Sequence, residues 1–433
     1  MRGMLLVACS SAVGAALVAC ATTDRSAAPP QEDGGPSVIT EAGTEPPDGS
    51  PPDAVEPIPP CSDAGWCPTA LPDVDLVVKD VWPLSSKHAF AIAESATLGV
   101  KVLEWNDVEE KWSYIDDNSQ NQGGLGAYAA NIWAPSADEV FYSVAYGTIV
   151  HGKRPAPPAT KWTWEHQRLQ DHSPDAEANP DHDHGYRINK YIEYQYPTMG
   201  VWGVAGDVYA WYANTVYRWA SVNGGAFGWV VDYTAADIDE PDEHIFFVSA
   251  AGASADEVWF VGVRQRTVSG SDVDCPLVVR RTTDGHERIF DGDTGASCSE
   301  RLGIATAGGR GWILDVQALP GNRFAGIQGG REITLLSGPD DGAYSAQHAP
   351  IRLGLYDRPL YSAYVPSSDE LWLSGMGIVV RGDATVWDGG SFGVSTISLN
   401  GGPISRPMYK IRGTSDTNLW AVGVRHALHK TTH

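Results

Sequence analysis

Between Asp171 and His184 the chain carries Asp171, His172, Asp175, Glu177, Asp181, His182, Asp183 and His184 within fourteen residues. Imidazoles two positions apart with carboxylates between them suit zinc or nickel, which take nitrogen donors readily. The candidate metal ligands are therefore His172, Asp181, His182, Asp183 and His184. Carboxylates alone, Asp175, Asp181 and Asp183, suit calcium. The Asn179-x-Asp181-x-Asp183 run departs from the calcium-loop pattern, because His184 stands where a Gly is needed. The competing reading is a solvated acidic loop, since His-rich surface tracts bind ions adventitiously. No cofactor is implied beyond this divalent metal.

Further acids cluster at Asp237-Ile238-Asp239-Glu240-Pro241-Asp242-Glu243, at Asp272-Val273-Asp274 and at Asp291-Gly292-Asp293. Paired carboxylates can act as acid and as base or nucleophile in glycoside hydrolysis. With 54 acids in the chain, however, some must fall close together by chance, and solvated loops are the expectation. Tyr186-Arg187-Ile188-Asn189 resembles the Arg motif of sialidases but lacks its Pro, and no Ser-x-Asp-x-Gly-x-Thr-Trp box occurs. Neither a Gly-x-Ser-x-Gly elbow, a phosphate loop nor a His-Glu-x-x-His helix is present. Trp105, Trp162 and Trp211 fall outside the regular Trp positions and could stack on a sugar or peptide, against core packing as the alternative.

The six cysteines divide by position. Met4 to Ala19 is apolar or small apart from Ser10 and Ser11, and Leu17-Val18-Ala19-Cys20 ends the run. This resembles the lipobox of bacterial lipoproteins, and the resemblance implies cleavage before Cys20, acylation of its thiol and a signal peptide over residues 1–19. Sixteen residues are too short for a bilayer-spanning helix, which needs about 20. Ala21 follows Cys20 where an acid would retain the protein at the inner membrane, so the resemblance implies an outer-membrane address. Residues 20–60 read as a disordered tether: positions 21–60 hold ten prolines, eight acids and one base, Arg25, with too little apolar surface to offset ordering. Cys9 falls in the signal, which leaves Cys61, Cys67, Cys275 and Cys298 for an oxidising compartment. Four cysteines allow three pairings, and the sequence-local one joins Cys61 to Cys67 and Cys275 to Cys298.

Formal charge is −24, and no Lys/Arg block interrupts it. Such a field repels phosphate backbones and anionic head groups, so nucleic acid is excluded as an expected partner. The membrane is expected to be met only through the N-terminal lipid.

The elements that must position these residues repeat. Turns rich in Ser, Asp, Gly or Pro lead into strands carrying Phe90, Phe141, Tyr209, Trp259, Phe324, Trp372 and Trp420, separated by 51, 68, 50, 65, 48 and 48 residues. Alternating strands such as Val140-Phe141-Tyr142-Ser143-Val144 follow the turns, a third strand follows each, and Trp112, Trp164, Trp229 and Trp387 mark a fourth. Seven such units predict an all-β, seven-bladed β-propeller over residues 61–433. The seventh unit lacks a fourth strand, so the segment near Trp66 is expected to supply it and close the ring.

The units resemble a family of secreted bacterial propeller proteins whose repeats read Ile-Trp-Gly-Ser-x-x-x-Asp-Val-Trp-Ala-Val-Gly. Ile411-Arg412-Gly413-Thr414-Ser415-Asp416-Thr417-Asn418-Leu419-Trp420-Ala421-Val422-Gly423 is the best match, with repeats two, four and six close behind and repeat five degenerate. The resemblance implies fold and export, and carries over no catalytic residue. The expected role is a monomeric, lipid-anchored binding module of the cell envelope that holds an envelope or extracellular protein, a peptide or a glycan. The competing class is a polysaccharide-directed hydrolase or lyase on the same scaffold.

Overall fold

The repeat signature corresponds to a local cross-strand device. In the second unit Glu139 opens a strand, Phe141 follows two positions on, and His151 lies opposite Phe141 on the next strand. His151 stacks flat on Phe141 at 4.1 Å between ring centroids, and its Nε2 lies 2.7 Å from Glu139 Oε1. The seventh unit repeats this with Asn418, Trp420 and His429: the rings stack at 3.9 Å and Nε2 lies 2.8 Å from Asn418 Oδ1. In the fourth, Arg280 is opposite Trp259 and forks onto Glu257. In the sixth, Arg381 lies over Trp372, 5.3 Å from its ring centroid, and pairs with Glu370. A planar group held between a ring and an acceptor satisfies its polar edge while covering aromatic surface. These are the four units whose sequences match the repeat most closely.

The computed structural model describes residues 61–433 except 123–127, 179–183, 185, 190–193, 223, 310, 339–342, 353–357, 368–369, 400–401 and 432–433. Seven antiparallel four-stranded sheets make a seven-bladed propeller. Blade one runs Val77–Pro83, Ala89–Ser95, Gly99–Asn106 and Lys111–Tyr114. Blade four is longer, with Glu243–Ser254, Glu257–Val268, Ser271–Thr282 and Gly285–Phe290. Blade seven is composite: Met408–Ser415, Asn418–Gly423 and His426–Lys430 are completed by Trp66–Pro68, paired antiparallel to His426–Lys430. The expected closure is therefore present. Trp66 is fully buried, meets Trp372 edge-on at 5.9 Å and donates Nε1–H to Ser395 Oγ, while a Cys61–Cys67 disulfide fixes its approach.

Trp387 departs from the expectation that it marks a fourth strand. It sits in a 3-10 turn, Ala384–Asp388, started by Asp383, whose carboxylate accepts from the Thr385 amide; the fourth strand of blade six is Gly393–Thr396. A side-chain acceptor two residues back favours the turn over extended chain at that point.

Adjacent blades are clasped along the axis. Five of the inner strands place a polar side chain that reaches the backbone of the next blade's inner strand. Asp80 accepts from the Ile132 amide, Asn131 exchanges two bonds with Val201, and Ser249 accepts from Val316. Asp315 accepts from Ala363, and Ser362 from Ile411. Inner strands of different blades share no ladder, so these bonds satisfy amides that would otherwise be buried without partners. Buried aromatic and aliphatic clusters between neighbouring blades supply the remaining cohesion.

Candidate functional site

The two faces of the propeller differ in what they carry. Inner strands begin where second strands end, as Val77 opposite Glu94 and Glu243 opposite Arg266 show. Blade-to-blade connections therefore share one face with the turns between second and third strands, here the loop face. The Ser/Asp/Pro turns of the repeat lie on the other. The long connections 169–198, 291–312, 351–359 and 397–407 all fall on the loop face, and so does the protruding end of blade four.

At the axis, inner strands of all seven blades line a cavity of 220 Å³ that includes Asp80, Asn131, Trp202, Ala251, Val316, Tyr361 and Arg412. Two of its cationic residues, Lys410 and Arg412, are paired with a carboxylate buried behind its wall. Asp315 is fully buried and receives a fork from Arg412, with Lys410 Nζ 3.4 Å away. Burial alone would raise its carboxyl, but the Arg412 and Lys410 charges hold it down at about 2. Asp80 is the opposite case. Burial pushes its carboxyl above the ordinary range, and the more distant Lys410 and Arg412 charges offset this only in part.

Above blade four the clustered acids are tied into an arginine network that buries Glu243 and Asp291. Arg264, with no exposure, forks onto Asp291 at 2.8 and 2.9 Å and reaches Glu243 at 2.9 Å. Arg288 and Arg301 both bind Asp237 and Asp291, and Arg301 also forks onto Asp239. Although burial opposes it, hydrogen bonds and charge from Arg288, aided by Arg264, hold Asp237 at about 2. A Cys275–Cys298 disulfide ties the 291–312 connection to the third strand of the same blade. The expectation of solvated acids fails for Glu243 and Asp291, which are buried against Arg264, and holds in part for Asp237, Asp239, Glu240 and Asp242, which keep about half of their side-chain surface. These acids are engaged in anchoring two loops, which leaves them poorly placed to act as a catalytic pair.

The insertion after blade two meets blade four. His184 is fully buried; its Nδ1 lies 2.6 Å from Asp171 Oδ2 and its Nε2 lies 2.9 Å from Asp175 Oδ2. The same Asp175 oxygen is 3.5 Å from Nδ1 of His244, near the start of the inner strand of blade four. Asp175 lies on a short helix, Pro174–Ala178, and Ser173 donates its backbone N–H to Asp171. Burial would raise the Asp171 carboxyl, but hydrogen bonds from His184 and Ser173 hold it below its ordinary range.

Of the ligands expected from sequence, His184 is thus brought into a cluster. His172 stands apart, its carbonyl accepting from Asn214 and its ring 6.3 Å from Tyr217. Asp181, His182 and Asp183 lie outside the described residues, as does Cys20. His244 was missed: a single His before Ile245-Phe246-Phe247 carries no spacing signal. Trp105, Trp162 and Trp211 are buried at 5, 8 and 3 % exposure and belong to the packing, which removes them as sugar platforms.

No protein-family model and no curated protein matches this chain. Solved structures do. YCF48 bound to D1 peptide is 13% identical, with 87% of this chain and 99% of that one covered at a TM-score of 0.52. YCF48 from Cyanidioschyzon merolae is likewise 13% identical, with 85% and 98% covered at 0.49. The first of these likenesses shows a propeller fold, in agreement with the seven blades above.

Proposed function

We propose that this protein is an interaction module of the cell envelope whose loop face binds a protein or peptide. One observation carries the reading: the long blade-to-blade connections, and half of the exposed large hydrophobic residues among those described, belong to that face. Of the twelve large hydrophobic residues exposed among those described, Val74, Leu98, Tyr128, Tyr146, Leu302 and Ile397 lie on loop-face connections or turns. Exposed apolar residues gathered on one side mark docking surfaces. Asp117 and Glu300 are exposed on this face of a chain whose net charge is −24, so the favoured partner is a basic, partly apolar segment. The Arg264 network and the Cys275–Cys298 bond hold the loops in place before binding, which reduces the ordering cost of association. YCF48, solved with a D1 peptide, exemplifies a propeller presenting a peptide site.

The test is selection of a random displayed-peptide library on the purified propeller. Basic apolar clones are expected, and their binding should fall at least tenfold in a Leu302→Asp/Ile397→Asp variant while persisting in Val108→Asp, which alters the opposite face. Equal binding to both variants refutes the loop-face reading. We assign the tether end to the membrane through Cys20, and two disulfides in the folded part support an oxidising, exported location. Cys20→Ser should move the protein from the membrane fraction to the soluble one; retention in the detergent phase refutes acylation.

A further inference from the structure

We propose that Asp175, His184 and His244 bind a zinc-class divalent ion that fastens the insertion after blade two to blade four. The donor atoms of the three lie within 4.8 Å of one another, and two of the separations are 2.9 and 3.5 Å. Ligands of a tetrahedral zinc with bonds of about 2.0–2.1 Å stand about 3.3 Å apart, so an ion enters with small adjustments of side-chain angle. Two imidazoles and a carboxylate suit zinc, nickel or cobalt over calcium or magnesium, which favour oxygen cages.

Three further features point the same way. Asp171 holds Nδ1 of His184, and a carboxylate on the far nitrogen is the usual arrangement behind a metal-bound imidazole, fixing both the ring and its tautomer. Asp175 Oδ1 is buried with no hydrogen-bond partner among the described residues, leaving a second oxygen for bidentate ligation. The site is also acidic, with Asp239 and Glu240 across the surface hollow that Asp175 shares with Pro174 and Pro241. The hollow reaches Asp175, the side from which a fourth ligand, water or a partner's side chain, would approach the ion. His172 plays no part.

Zinc titrated calorimetrically into chelator-treated full-length protein at pH 7.5 should bind at one ion per chain and raise the melting temperature. Affinity should drop more than tenfold at pH 5.5, where imidazole protonation competes with the metal. His244→Ala and Asp175→Asn should each lose tenfold or more. Asp171→Asn, a positioning change, should lose ten- to a hundredfold. His172→Ala/His182→Ala should bind as wild type. Every variant is first checked for a wild-type near-ultraviolet spectrum, and because His184 is buried the decision rests on His244 and Asp175. Absence of binding, calcium binding indifferent to pH, or loss on replacing His172 and His182 with His244→Ala unaffected would each overturn the proposal.

Discussion

Asp80, on the wall of the axial cavity, and Asp315, which pairs with Arg412 and Lys410 of that wall, are both buried carboxylates, yet replacing each by Asn should have different consequences. At Asp315 the Asn keeps shape and one acceptor for Ser362 and the Ala363 amide, but its amide group would face Arg412 or Lys410. Lowering the Asp315 carboxyl from 3.8 to about 2 corresponds to about 2 kcal/mol of charge stabilisation. Removing one partner of a buried ion pair costs about 3–5 kcal/mol, because the other charge stays behind. We take about 3 kcal/mol as the expected loss. With an unfolding entropy near 2.1 cal/mol/K per residue over roughly 370 residues, this lowers the melting temperature by about 4 °C. At Asp80 the raised carboxyl shows that burial outweighs Lys410 and Arg412, so neutralising it removes a cost. One of the two amide bonds, from Val81 or Ile132, is weakened in exchange, and the net change should stay within about 1 kcal/mol. The pH dependence separates the two. A depressed carboxyl contributes stability above its unfolded value and loses it as pH falls, so the wild-type advantage over Asp315→Asn should be full at pH 5 and shrink from about 3.8 towards 2. Asp80, raised, costs stability at neutral pH, and that cost is relieved on acidification. Melting followed by near-ultraviolet circular dichroism at pH 7, 5 and 3 measures all of this. Equal melting temperatures for the two variants at pH 7 would refute the assignment of Asp315 as the charge that holds blades five, six and seven together.

Three further outcomes are expected. His429 is buried on Trp420 with its ring pushed down to about 4 chiefly by burial, so wild type should lose stability as pH falls from 6.5 towards 4, by about 3 kcal/mol at most; His429→Phe should flatten that slope in denaturant titrations. Trp66→Ala removes a fully buried ring that closes blade seven and should cost about 3–5 kcal/mol, with aggregation at the uncovered edge detected by light scattering; a soluble variant of unchanged melting temperature would count against closure. Cys275→Ser/Cys298→Ser should cost about 3 kcal/mol and speed proteolytic cleavage within 291–312, unless the Arg301 contacts alone hold the loop, in which case cleavage stays at the wild-type rate.

What could be read from the sequence follows the range of the interactions that carry it. The cross-strand triples join residues 11, 12 and 23 apart, within one blade, so in four units they leave a pattern of acid or amide, aromatic and planar partner. The turn that leads into each aromatic strand is equally local and recurs seven times, which gives the seven blades, and the missing fourth strand of the last unit points to closure by the segment near Trp66. The clasps and the axial ion pairs join residues 47 to 97 apart, and the clasp position is filled by Asp, Asn, Ser, Asp and Ser in blades one, two, four, five and six. Geometry there demands an acceptor and leaves its identity free, so nothing repeats. The same reasoning accounts for the metal cluster. His184 was legible as part of a local run, whereas His244 comes from a different blade and Asp175 is selected among many acids only by the helix that aims it. Acid clusters misled in the opposite direction: Glu243 and Asp291 look solvated until Arg264 is buried against them. A repeated scaffold therefore declares its within-blade chemistry in the sequence, while between-blade chemistry, on which a binding face depends, becomes visible only when the ring is closed.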